Sequence, residues 1–195
     1  MAPPDRVPTE AEIALAPAAR VRLLTDRIGA EAVARWASDL MTAGCAPDDP
    51  DLPSILWLGG HHAAELMTRH QLTDPVHVHW TRVWAARAVQ HSWSPTATDA
   101  VGVALADPAW RVREMAAKVA RRHEIGQLAD ALATLCADPI ARVRSAAVAA
   151  LGVVGEGEHV AAVRTALVDP ETAVAVSAER ALAQLSQRLD RRLDP

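Results

Sequence analysis

Eight histidines invite a metal reading of this chain. His61, His62, His70, His77, His79 and His91 crowd into one stretch, and His123 and His159 follow downstream. His61, His62 and Glu65 have the i, i+3 and i+4 spacing that puts two ligands on one helix face, but two ligands do not close a metal site. Cys45 and Cys136 match no zinc spacing and cannot build a disulfide framework. The nucleophile-elbow, phosphate-loop, dinucleotide and HExxH motifs are all missing. The expectation is therefore a chain without a catalytic constellation, a required metal or a cofactor.

Tryptophan and arginine offer a second chemistry, recognition. The chain has six Trp, no Phe and no Tyr, and its basic residues are 19 Arg and one Lys. Exposed Trp and Arg are favoured interface anchors. All six Trp lie between residues 36 and 110, which places any recognition surface in the N-terminal and central part.

The elements that position these groups follow from a repeat. Asp107-Pro108, Asp138-Pro139 and Asp169-Pro170 stand 31 residues apart, and the segments after them align without gaps. One further step back reaches Arg82, Ala85 and Ala86, which match Arg113, Ala116 and Ala117; here Asp74-Pro75 comes two residues early. Each copy reads as two helices. Asp caps the second helix and Pro takes its first position, where a missing N–H costs nothing. Val112, Met115, Ala116, Val119 and Ala120 form an apolar stripe that Val143, Ala146, Ala147, Ala150 and Leu151 repeat. The first helices are expected at 98–106, 128–137 and 160–168. Upstream, helices are expected at 9–24, 30–43 and 54–72, the last interrupted at Gly59-Gly60. With 42 Ala among 195 residues, small side chains allow close helix contact with few aromatics.

The pattern D-P-x-x-x-V-R-x-x-A-A, present from Asp107 to Ala117 and with Val148 in the last place from Asp138, resembles the short HEAT-like repeats of the phycobilisome-lyase (E-Z) type. The resemblance covers residues 74–185 and implies an all-α, right-handed solenoid of antiparallel helix pairs. Four repeats are expected, at about 74–106, 107–137, 138–168 and 169–195, with 1–73 as a divergent helical cap on a single domain. The fourth copy departs, with Ala175 in place of the Arg, as a terminal cap would.

The resemblance also implies that second helices line a concave side. The stripe then leaves Trp80, Val83 and Arg87 exposed on the first copy, and Arg111, Glu114, Lys118 and Arg121 on the second. Arg142, Ser145 and Ala149 follow on the third, and Ala173, Val176 and Arg180 on the fourth. Trp110 stands at a helix start near Trp80, His79 and His77; Trp84, Trp36, Trp57 and Trp93 read as core, and Cys136 as a buried apolar thiol. Arg82, Arg113 and Arg144 form a ladder, one residue per repeat, able to bond the Asp107, Asp138 and Asp169 series. Residues 74–151 carry net +2, between segments of −4 and −2. A basic middle attracts an acidic partner; the alternative is that Arg merely solvates an Ala-rich surface.

Three functions compete. The first is a non-catalytic scaffold or adaptor that binds another protein through the concave face (Arg87, Arg111, Glu114, Lys118, Arg121, Arg142) and a Trp80/Trp110 edge. The second rests on similarity to HEAT-like alkylpurine glycosylases, which cradle duplex DNA with Trp side chains and an Asp; no Asp falls on the expected concave face, and the chain is acidic overall. The third is a lyase or chaperone subunit of the phycobilisome-lyase type, for which the repeat alone transfers no activity. His123-Glu124 is similar to the His-Glu pairs of deoxyhypusine hydroxylase, but those follow Val-Arg on the inner helix in several copies, where this chain has Glu114-Met115 and Ser145-Ala146. The longest apolar runs fall short of a membrane span, and the first residues lack the order of a secretory leader, so a cytoplasmic protein is expected.

Overall fold

The computed structural model describes residues 6–190. Among them every regular element is helical, and no helix is long and apolar enough to cross a membrane. The chain divides into two compact units at Ala104/Leu105, whereas the repeat motif begins at residue 74.

In the first unit, α1 (Glu10–Ile13) and α2 (Pro17–Ile28) replace the single helix expected over 9–24. Thr9 and Glu12 close a capping box on α1, and Pro17 starts α2 because its ring cannot continue a helix from upstream. Next come α3 (Ala30–Met41), α4 (Leu56–Gly59), α5 (His61–Thr68), α6 (His79–His91) and α7 (Thr98–Ala104). The expected 54–72 helix breaks at Gly60, whose φ of +60° separates α4 from α5. The same glycine makes room for Arg20, since a Cβ there would come within 2.6 Å of the guanidinium. α6 packs on α2, α3 and α4, so a helix that carries the first repeat copy shares a core with the segment expected to be only a cap. Trp57 and Trp84 are fully buried in this core with Leu24, Ile55 and Leu58. Val83 is also buried, which corrects its placement on an open face; Trp93, expected in the core, is half-buried.

The second unit is built from α8 (Trp110–Arg122), α9 (Ala129–Leu135), α10 (Ala141–Val154), α11 (Val160–Thr165) and α12 (Thr172–Arg188). α10 packs between α8 and α12; α9 lies against α10, α11 against α12, and α9 against α11. The α8 stripe is buried at Val112, Ala116, Val119 and Ala120, and Met115 is half-buried. Single 3₁₀ turns lead into α9 and α11, and another follows α11 at Ala166–Val168. Small residues set the α10–α12 spacing: a Cβ added at Gly152 would come within 2.8 Å of the Ala181 backbone.

The Asp-Pro pairs differ from a simple N-cap. The helices begin three residues after each Asp, at Trp110, Ala141 and Thr172. Each Asp instead closes an Asx turn before the helix. Its Oδ1 accepts the N–H two residues on, from Ala109, Ile140 and Glu171, at 2.8, 2.8 and 2.9 Å.

The arginines join these turns. Arg113 donates to both carboxylate oxygens of Asp138 at 2.7 and 3.1 Å, and its remaining nitrogen donates to the Asp107 and Pro108 carbonyls. Arg144 does the same one repeat on, to Asp169 at 2.7 and 2.8 Å and to the Asp138 and Pro139 carbonyls. Arg82, of the first unit, is half-buried on α6.

Two outcomes follow. A Gly152→Val side chain must push against helix backbone, and urea unfolding is expected to show a loss of about 2–3 kcal/mol. The Arg144 hydrogen bonds hold the Asp169 carboxyl below the usual carboxylate range. A carboxyl with a depressed folded pKa stabilises above its unfolded value, about 4, and loses that contribution as pH falls through the folded value. Asp169→Asn is therefore expected to lower the melting temperature at neutral pH. It should also shrink the drop in melting temperature between about pH 5 and pH 2, as measured by thermal circular dichroism.

Candidate functional site

The second helices of the second unit frame an open groove of about 450 Å³ across α8, α10 and the start of α12. Its floor is made of small side chains from α10, Ala141, Ser145, Ala146 and Ala149, with Ala173 and Ser177 on the α12 side. Ser145 and Ser177 share a hydroxyl hydrogen bond of 2.8 Å. These residues fall on the groove because α10 turns its larger apolar side chains, Val143, Val148 and Leu151, into the core.

Charge is organised around Glu114. The alignment puts this residue on an open helix face, but its side chain is only 10% exposed. The reason is that two cations fold over it. Lys118, one turn along α8, donates to Oε1 at 2.7 Å, and Arg142 from α10 donates to the same oxygen at 3.2 and 3.1 Å. Glu114 is thus a positioning residue that fixes Lys118 and Arg142 at the groove wall. Arg142 also lies 5.4 Å from the Trp110 ring centroid, and Arg111 covers that ring at 4.4 Å. Arg121 is exposed and has no ion-pair partner among the described residues. Glu171, at the start of α12, adds a second carboxylate.

Six of the eight expected binding residues, Trp110, Arg111, Glu114, Lys118, Arg121 and Arg142, therefore belong to this one unit. Four of them line the groove, and Arg142 links the groove to Trp110. Trp80 and Arg87 belong to the first unit, where both line a separate cavity of about 300 Å³ with Arg20 and His62. Sequence reading missed Glu171 and Ser177, which sit in the copy read as a terminal cap, and it missed Arg20, two of whose partners lie 37 and 38 residues away.

The histidines do not gather. Among the described residues no three His, Cys, Asp or Glu side chains converge on a possible metal position. His159 is buried and structural: its Nδ1 accepts the Glu156 N–H at 2.9 Å, and its Nε2 lies 3.0 Å from Asp130. Cys136 is half-buried rather than fully buried. Its thiol donates to the Leu132 carbonyl at 3.5 Å, and burial pushes it up to about 12, so it stays protonated and unreactive.

A double-mutant cycle on Glu114→Ala and Arg142→Ala tests the framework of the groove. Urea unfolding is expected to give a coupling of about 0.5–1 kcal/mol, modest because Arg142 is largely exposed. Additive losses would mean that Glu114 does not hold Arg142. In comparisons with known proteins, no family model and no curated protein matches this chain.

Proposed function

We propose that residues 105–190 are stacked HEAT-like repeats of a right-handed α-solenoid, and that their groove binds an acidic segment of a partner protein. The chain on this reading is a scaffold or adaptor without catalysis. The observation that carries it is the groove itself: an Ala- and Ser-floored trough with Lys118, Arg121 and Arg142 on its walls and the Arg-flanked Trp110 beside it. Small floor residues admit a partner backbone closely, and Arg121, exposed beside the Glu114-held Lys118 and Arg142, selects a carboxylate-bearing segment. The 31-residue register and the Arg–Asp pairs between successive turns support the repeat assignment.

The groove suits a peptide better than a nucleic acid. Glu114 already takes up Lys118 and Arg142, and Glu171 faces the same space, so the wall is not a phosphate track.

The test is affinity capture from lysate of the source cells with the full chain and with an Arg121→Glu/Ala149→Trp variant. This variant reverses the exposed charge and fills the floor. Its helical circular dichroism should match the parent. At least one specific partner is expected to be lost, and an acidic peptide from that partner should bind the parent alone. Retention of every specific partner would overturn the reading. Duplex DNA binding with a salt slope of several phosphates would replace it with a nucleic-acid function.

A further inference from the structure

We infer that the first unit holds a binding site for a small organic carboxylate, between the guanidinium groups of Arg20 and Arg87 and the rings of Trp80 and Trp84. The site is the cavity of about 300 Å³ where the α1–α2 junction meets the beginnings of α5 and α6.

The two arginines differ in how their charge is met. Arg20 is buried and well satisfied. It donates from Nε to Trp57 O at 3.1 Å, from Nη1 to Ile13 O at 3.1 Å and to Leu15 O, and from Nη2 to Leu58 O at 3.2 Å. Arg87 has one hydrogen bond, a long one of 3.4 Å, and it goes to the same Leu58 carbonyl. Two guanidinium groups thus converge on one oxygen, and four of the five Arg87 N–H donors have no acceptor. Burial first, and then Arg20, weakens the hold of Arg87 on its proton. Among the described residues no carboxylate lines the cavity. Arg87 is half-buried, so its spare donors face the cavity, where a bound anion would meet them.

The remaining walls say which anion. Four carbonyls take up the Arg20 donors, so the donors left for an anion come mainly from Arg87, which fits a single carboxylate. The planar guanidinium fork matches a carboxylate. α5 adds a favourable end: Gly60 supplies no side-chain cap, and His61 and His62 of its first turn line the cavity. Burial pushes the His62 imidazole toward its neutral form, so it adds surface rather than charge. It stands edge-on to Trp80 at 4.7 Å and to Trp84 at 5.3 Å. Trp80 and Trp84 stack at 6.4 Å, and Ile13, Leu15 and Pro17 also line the cavity. These surfaces suit a flat apolar body behind the carboxylate, and the volume limits it to about one ring.

Isothermal titration calorimetry on the full chain decides the matter, with benzoate, benzamide and inorganic phosphate as probes. Benzoate is expected to bind, and uncharged benzamide about tenfold or more weaker. Arg87→Gln should cost benzoate about tenfold or more, the loss of about one charge-assisted contact. Ala14→Trp, at an exposed residue on the cavity rim, should abolish the benzoate heat while leaving the fold intact. If Arg87→Gln does not fold, the benzamide comparison and the Ala14→Trp variant carry the test. The inference is overturned by equal binding of benzoate and benzamide, by phosphate binding tighter than benzoate, by benzoate heat that survives in Ala14→Trp, or by no benzoate heat up to about 50 mM.

Discussion

The second unit depends on one shared hydrogen-bonded node, an arginine of one repeat locked onto the aspartate of the next. Asp138 accepts its own turn's Ile140 N–H and both arms of Arg113; Asp169 accepts the Glu171 N–H and both arms of Arg144. Each arginine also ties down the carbonyls of the turn that begins its own helix. One guanidinium therefore fixes two consecutive turns relative to each other. Bidentate, charge-assisted geometry gives this node direction as well as energy. Helix pairs joined by Ala-rich seams could slide, because small side chains interlock weakly; the node removes that freedom and so sets where the groove residues stand.

The same economy of charge shapes both candidate surfaces. In the groove, a buried carboxylate holds two cations in place and leaves Arg121 to the solvent. In the first unit, carbonyl oxygens perform that task for Arg20 and leave Arg87 with most of its donors unmet. A satisfied charge acts as framework, and an unsatisfied one beside it acts as a recognition element.

What the sequence made legible was whatever repeats. The 31-residue spacing set Arg113, Arg144, Asp138 and Asp169 in register, and the apolar stripe marked Val112, Val119, Val143 and Leu151 as core. It failed where contacts do not repeat. Val83 reads as exposed by alignment, yet it is buried in a core shared with the irregular N-terminal helices. Glu114 reads as open because periodicity cannot see Arg142 reaching from the next helix. Arg20 carries no periodic signal, since two of the four carbonyls that hold it, Trp57 O and Leu58 O, are brought near only by the fold. The Asp-Pro turn was legible in its residues but not in its geometry: the Asx turn uses the same side-chain acceptor as an N-cap, two residues ahead of the N-cap position.

The Arg–Asp node also has a polarity. The second and third copies each offer an arginine forward, and the third and fourth each present an aspartate backward, like the two unlike ends of a monomer. A duplicated 31-residue unit inserted ahead of the fourth copy would find both of its ends matched. A unit added after that copy would meet Ala175, which has nothing to offer its aspartate. Internal duplication would thus preserve the Arg–Asp pairing, whereas Ala175 cannot extend that pairing beyond the fourth copy.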